Sequence, residues 1–522
     1  MQFYSILFFL FVAILFILYY TVCRKKQWIL LLVGSMLFYV WLAGWRVLFL
    51  LITSVTIWGA AKLLDRLNEK RKQEQKREGI TKEEKKAIKK KYIRKKRFVL
   101  IVILVINFGM LAAFKICNLL PGQEGGLLST GLILPLGISF YTFQAVSYLA
   151  DVYNGKYQHE KNYFHFLLFV SWFPQIIQGP INRFNKLRDQ FFCSHSIDWD
   201  TFCRMAALFL FGAFKKYAIA DVLAKTVQMI YDAPVGEQSG AVVVFGMLAF
   251  AMQEYADFSG GIDMAMAVSG LFGVQMLKNF EQPYFATSMA NFWRRWHITL
   301  GAWMRDYVFY PLAVTKPMMN VMKWGVKKFG NTGRILPAAI GNVVVFLIVG
   351  IWHGTGWNYV FWGLYNGVLI AVSELLAPVF KRLAEKLHID MKSGGFHVFQ
   401  IIRTFILVCI GLLFEQYQRV ADSFIALRCV FTRPDWDLST VESIINKTLA
   451  KDVAFVPVLV LIAIAIVFIC SVMRERGTDV FLWIQNKNAA VRWGIWMLLI
   501  FLTIASFSYV QDVGGGFVYA NF

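Results

Sequence analysis

Residues 350–367 read GIWHGTGWNYVFWGLYNG. Ahead of them, Ile335–Ile351 is an apolar run in which Asn342 is the one polar side chain. Behind them, Trp357–Leu376 is a second run, apolar and aromatic. Each approaches the roughly 20 residues that cross a bilayer. His353 falls between the two. An imidazole beside hydrocarbon-length segments costs free energy unless it is hydrogen-bonded or used, and it is the side chain suited to proton transfer near neutral pH. The plain alternative is a capped, partly hydrated residue at a helix end. Gly350, Gly354 and Gly356 allow close approach of backbone or ligand. Trp352, Trp357 and Trp362 supply rigid walls, and the whole reads as a shaped cavity in a membrane protein.

Composition agrees. Of 522 residues, 58% are hydrophobic and 16% aromatic, and mean hydropathy is +0.53. The long apolar runs do not alternate, which excludes a barrel and leaves an all-α polytopic membrane protein. No polar stretch is long enough for a soluble domain, so residues 1–522 are expected to form a single membrane domain. The net charge of +22 does not point to nucleic acid. Half of it lies in 62–97, where 17 Lys/Arg face 6 Asp/Glu. A basic loop between spans is what the positive-inside bias produces, and it suits anionic lipid. The seven cysteines (Cys23, Cys117, Cys193, Cys203, Cys409, Cys429, Cys470) are scattered. They read as small core residues, with no disulfide framework and no metal-ligand spacing.

In chain order, Phe3–Val22 is a first span that lacks signal-peptide features and is expected to be retained. Arg24, Lys25 and Lys26 then put its end in the cytoplasm and the N-terminus outside. Trp28–Ala43 and Val47–Leu64 form a hairpin that returns to the 62–97 loop. There Thr81-Lys-Glu-Glu84 predicts a capping box. Phe98–Cys117 crosses outward, 121–126 turns, and Gly131–Ala150 returns, broken at Pro135 and Gly137. From Asp151 to Asn331 short, tilted or re-entrant helices are expected, because prolines in FPQIIQGPINRF (173–184) and acids in MQEYADFSGGIDMAMAVSG (252–270) require protein or a wet cavity around them. Lys381–Lys392 is cytoplasmic, Val398–Phe414 crosses, and 415–452 is an external loop. Val453–Met473 and Trp493–Ser508 are the last spans, with the C-terminus outside.

NFWRRWHITLGAWMRDYVFYPL (291–312) is the second dense stretch. Trp293, Trp296 and Trp303 fall near one helical face, as in an interfacial amphipathic helix. His297 is its functional candidate. Asp257, Asp263 and Asp306 read as structural, with Arg294, Arg295 and Arg305 available as partners.

Five blocks together resemble the membrane-bound O-acyltransferase (MBOAT) family, in the branch of the alginate O-acetylation membrane protein. They are PLGISFYTFQAVSYLADVY (135–153), QGPINR (178–183), YADFSGGIDMA (255–265), FWRRWHITLGAWMRDYVFYPL (292–312) and GIWHGTGWNYVFWGLYNG (350–367). The resemblance implies a ring of roughly eleven or more spans of about 20 residues, with short re-entrant or interfacial helices and a catalytic core over 134–376. It makes His353 the catalytic histidine and His297 the second active-site polar residue, orienting the acyl carbonyl or stabilising the oxyanion. Trp293, Arg294, Arg295, Trp352, Asn358 and Tyr365 are the implied tunnel lining.

The implied activity is acyl transfer, acetyl for this branch, from a cytoplasmic thioester such as acetyl-CoA or an acyl-carrier-protein thioester. The acceptor would be an exported polysaccharide, reached with a secreted or membrane-anchored esterase-like partner. No permanently bound cofactor and no metal are expected. The tail 509–522 resembles the family's F-x-Y-x-x-F ending, which makes Tyr519 a candidate acyl carrier; an aromatic anchor at the outer interface is its plain alternative. Transfer of D-alanine to teichoic acid, O-acetylation of peptidoglycan, a channel or transporter, and a scaffold of an export complex are the competing functions.

Overall fold

The computed structural model describes residues 5–22, 24–117, 137–433, 436, 438–449 and 455–510. The 121–126 turn, Pro135 and the tail with Tyr519 lie outside the described residues. Helix is the regular structure throughout, and no strand occurs among the described residues. The first helices are α1 (Ile6–Thr21), α2 (Gln27–Ala43), α3 (Val47–Gln75), α4 (Lys82–Cys117) and α5 (Ile138–Asn154). Short helices follow: α6 (Tyr163–Ser171), α7 (Phe173–Gln178), α8 (Phe184–Phe192), α9 (Trp199–Lys215) and α10 (Val222–Asp232). Then come α11 (Gly240–Leu271), α12 (Met289–Arg295), α13 (Ile298–Met304), α14 (Tyr310–Ala313), α15 (Lys316–Phe329), α16 (Leu336–His353) and α17 (Trp357–Lys386). The chain ends with α18 (Gly394–Gln416), α19 (Val420–Thr432), α20 (Ser439–Thr448), α21 (Val456–Glu475), α22 (Val480–Gln485) and α23 (Ala489–Val510).

Eight helical runs among the described residues are long and apolar enough to cross a bilayer, and Ile6–Thr21 is a shorter apolar helix in addition to them. One of them, Gln27–Gln75, joins α2 and α3 and is 49 residues long, enough for two crossings at about 1.5 Å per residue. The expected hairpin is therefore present, with a 3₁₀ turn at Gly44–Arg46. Of the basic stretch 62–97, only 76–81 lies outside helix, so its charge is carried on two helix ends and not on a loop. The capping box forms. Thr81 N–H donates to Glu84 Oε2 (2.9 Å) and Glu84 N–H donates to Thr81 Oγ1 (3.2 Å), satisfying two donors that a helix start leaves open. The expected external loop 415–452 carries two helices, α19 and α20.

The chain divides into two compact units, one of residues 1–205 with 265–277, the other of 206–264 with 278–522. In the first, α5 is buried along nearly its whole length, packed against α3, α4 and α6. Tyr20 Oη donates to Leu271 O (2.8 Å) and Trp172 Nε1 to Ser269 Oγ (3.0 Å). Cys193, in this unit, is exposed and not a core residue.

The second unit holds both candidate histidines. The acid-bearing stretch 252–270, in a region expected to hold short, tilted or re-entrant helices, lies inside one long helix, α11, with Glu254 and Asp257 buried. A close crossing makes this tolerable. A Cβ on Gly212 would come within 2.7 Å of Gly260 O, and one on Gly260 within 2.7 Å of Gly212 O, so only glycine fits at the contact. That approach sets two buried lysines against the acids. Lys215 Nζ donates to Asp263 Oδ2 (2.8 Å) and Ser259 Oγ (2.9 Å). Lys216 Nζ donates to Asp257 Oδ1 and lies 2.8 Å from Asp221 Oδ1. Of the arginines read as available to Asp257, Asp263 and Asp306, Arg305 does pair with Asp306, at 3.1 Å, whereas Arg295 makes a two-pronged pair with Glu475 (2.7 and 3.0 Å).

Candidate active site

His353 is the last residue of α16, and glycine determines where that helix end sits. A Cβ on Gly350 would meet Tyr359 O at 2.3 Å, one on Gly363 would meet Phe346 O at 2.3 Å, and one on Gly367 would meet Val343 Cα at 2.8 Å. Helices α16 and α17 therefore touch backbone to backbone. Of the two uses the glycine cluster allowed, backbone or ligand approach, the structure shows the first: Gly354 and Gly356 likewise abut the Tyr359 ring and Asn358 Oδ1. His353, buried, is held between two indoles. Its ring centroid is 4.8 Å from that of Trp352 and 4.8 Å from that of Trp362.

His297 reaches the same cluster from another element. The stretch 291–312 was expected to be one amphipathic helix, and it is not. It breaks at Trp296–His297, between α12 and α13, with His297 in the left-handed region at φ 45 and ψ 51. Such a conformation is uncommon outside glycine. Trp296 and Trp303 are buried rather than interfacial. The backbone around the break is tied to Asn279: Ile298 N–H donates to Asn279 O (3.0 Å), and Thr299 N–H and Oγ1–H both donate to Asn279 Oδ1 (3.1 and 2.8 Å). The His297 imidazole, also buried, has its Nδ1 3.2 Å from the same Oδ1. Its ring lies edge-on to Phe258 at 4.9 Å and 6.4 Å from Trp352. One indole, Trp352, thus adjoins both histidines.

A cavity of about 410 Å³ opens beside His297; His353 and Trp352 do not line it. His297, Trp293, Trp296, Arg294 and Arg305 line it, with Asn342, Phe346 and Glu374. Asn342 Nδ2 lies 3.4 Å from Glu374 Oε2. A second space of about 10 Å³, among Trp293, Trp362, Asn366, Glu254 and Gly411, lies on the other side of the Trp293 ring, and holds at most about one water. Trp293 connects the cavity to the catalytic candidate. Its ring meets Trp362 edge-on at 5.5 Å, and its Nε1 donates to Asn366 Oδ1 (3.1 Å).

Residues 38–414 match the membrane-bound O-acyltransferase family. The chain belongs to that family. It is 31% identical over 453 residues to the probable alginate O-acetylase AlgI of Pseudomonas syringae pv. tomato, covering 83% of this chain and 76% of that protein. It is 31% identical over 327 residues to a peptidoglycan O-acetyltransferase of Helicobacter pylori, covering 57% and 58%. A teichoic acid D-alanyltransferase of Bacillus subtilis is 26% identical over 281 residues, covering 54% and 68%. The protein is a multi-pass, all-α membrane-bound O-acyltransferase.

Within this MBOAT protein the sequence-derived site separates into two groups. Trp293, Arg294 and His297 line the 410 Å³ cavity, and Trp352 and His353 join it through ring contacts. Arg295, Asn358 and Tyr365 do not line it; Arg295 holds Glu475, and Tyr365 Oη donates to Leu407 O (2.8 Å). Asn279 and Glu374 were missed. Nothing local marks either: Asn279 acts on a residue 18 positions away, and Glu374 sits in a run whose hydropathy hides it.

Proposed function

We propose that this chain transfers an acyl group, acetyl in the first place, from a cytoplasmic thioester to the hydroxyls of an exported cell-surface polysaccharide. The donor would be a coenzyme A or acyl-carrier-protein thioester. Its anionic phosphate would be drawn to Arg294 and Arg305 in the cavity. The observation that carries this reading is an arginine-bearing cavity lined by His297, with Trp352 in ring contact with both His297 and His353. His353 serves as general base: it takes the proton of an attacking hydroxyl as the new C–O bond forms, and returns it to the thiolate when the C–S bond breaks. His297 assists at the same centre. The attacking hydroxyl belongs to Tyr519, which would carry the acyl group as an aryl ester to a secreted partner enzyme, or to the polysaccharide itself. The reading places both termini outside a bacterial plasma membrane. The similarity favours polysaccharide acetylation over D-alanyl transfer, because the probable alginate O-acetylases match over more of the chain than the teichoic acid D-alanyltransferases do.

The test is reconstitution in vesicles with a thioester carrying a labelled acyl group, together with mass spectrometry of surface polysaccharide from cells with and without the protein. Labelled ester on the far side supports the proposal. Flux of substrate with no covalent product would assign a transporter instead, and D-alanyl ester or acetylated peptidoglycan would move the acceptor.

A further inference from the structure

The contact between His297 and Asn279 determines more than position. An amide side chain presents either oxygen or nitrogen, and the two are told apart by their partners. Thr299 N–H is a backbone donor and cannot accept. It points at the Asn279 side chain at 3.1 Å, so the atom there is oxygen. That same oxygen is 3.2 Å from His297 Nδ1. A carbonyl oxygen is an acceptor only, so the imidazole nitrogen facing it carries the proton. In a neutral imidazole one nitrogen donates and the other accepts. With the proton on Nδ1, the lone pair is on Nε2.

We infer that Asn279 is the positioning residue that holds His297 as the Nδ1–H tautomer, so that Nε2 acts in acyl transfer as an acceptor of a proton or hydrogen bond and not as a donor to the oxyanion. The inference rests on the reading that His297 belongs to the transfer site, and it selects between the roles open to it. A neutral His297 in this tautomer has no N–H left at Nε2 to offer a developing alkoxide. What it offers is a basic nitrogen. Three features of the fold hold the arrangement. The left-handed backbone at His297 turns the chain between α12 and α13. Ile298 N–H binds Asn279 O at 3.0 Å, which fixes the Asn279 backbone. Thr299 binds the side-chain oxygen twice, which prevents the amide from flipping. Phe258, edge-on to the imidazole at 4.9 Å, confines the ring further.

The experiment is nitrogen-15 NMR of the full chain in lipid nanodiscs, with labelled histidine. The sequence has seven histidines, and the His297 signals are identified by their loss in His297→Asn. The wild type should show a protonated Nδ1 and an unprotonated Nε2. Asn279→Asp, which keeps an oxygen acceptor, should keep that pattern and most of the turnover. Asn279→Ala should shift the pattern toward Nε2–H and lower turnover about tenfold or more, the usual scale for losing a partner that orients a working imidazole. A wild-type Nε2–H signal overturns the inference whatever the variants do. An unchanged Nδ1–H signal in folded Asn279→Ala removes Asn279 from it. Absence of acyl transfer in every protein, with the Nδ1–H signal intact, would fail the proposed function and leave the tautomer assignment standing.

Discussion

The imidazole of His353 and the indole of Trp362 lie with ring centroids 4.8 Å apart, and Trp362 in turn meets Trp293 at the wall of the cavity. Trp362 is almost fully buried, so it both packs the core and orients the candidate base. The two roles are separable. Trp362→Ala removes a large buried ring and should cost about 3–5 kcal/mol, seen as loss of folded protein in detergent. Trp362→Phe keeps an aromatic surface and should fold. Its looser hold on His353 should lower turnover about ten- to a hundredfold. Full turnover in Trp362→Phe would show that the ring contact does not position His353.

His353→Ala should abolish acylation while protein level and membrane insertion stay normal. The residue ends α16, so its removal leaves the helix ladder intact, and loss of a general base alone costs about a hundred- to ten-thousandfold. Polysaccharide ester content measured in cells expressing the variant checks this. Ester at the wild-type level would return His353 to a capping role and revive the scaffold reading.

The buried pairs on α11 make a stability prediction. Lys216 and Asp257 are each about 1% exposed; breaking an isolated buried pair costs about 3–5 kcal/mol, and here the loss should be smaller because Asp221 stays 2.8 Å from Lys216. Asp257→Ala should therefore reduce the amount of folded protein, and Asp257→Asn should do so less. Because Lys216 also holds Asp221, only replacing Lys216, Asp221 and Asp257 together with apolar residues should recover part of the loss. Thermal unfolding followed in detergent decides it. Normal unfolding with lost turnover would instead move Asp257 into the active site.

Gly363 tests how His353 is placed. A Cβ there would come within 2.3 Å of Phe346 O, closer than any carbon can approach, so Gly363→Val should spread α16 from α17. We expect either failure to fold or a folded protein without activity. A folded, fully active variant would show that the helix contact is not what fixes the histidine.

Much of this was legible from the residues. The spans α2, α3, α16 and α17 follow from hydropathy and length, and the capping box at Thr81 follows from a four-residue pattern whose partners are local. His353 was visible because it interrupts two apolar runs. What was not legible depends on contacts between distant residues. The break at His297 replaces a helix that the spacing of Trp293, Trp296 and Trp303 favoured, and its cause is Asn279, 18 positions earlier. Lys216 meets Asp257 across 41 positions, and spacing alone could not single it out from the arginines at 294, 295 and 305. Gly212 and Gly260, which let those helices approach, belong to the same crossing and carry no signature except small size.

Tyr519 gives the last prediction, and it follows from chemistry. The tail after Gly514–Gly516 reads FVYANF. Phe517, Tyr519 and Phe522 would all serve an interfacial anchor, but an anchor does not require a tyrosine ahead of the final Asn-Phe. A phenol of ordinary pKa, about 10, attacks a thioester poorly until a base takes its proton, which is the service His353 would provide. The resulting aryl ester gives up its acyl group readily, because phenolate is a good leaving group, and the acyl group could then pass to a sugar hydroxyl on a partner enzyme. Tyr519→Phe keeps the ring and any anchoring and removes only the nucleophilic oxygen. With intact membrane insertion, polysaccharide acylation should fall to background, and labelled thioester should leave no ester on the purified variant. Wild-type acylation by Tyr519→Phe would end the carrier role and leave the tail as an anchor.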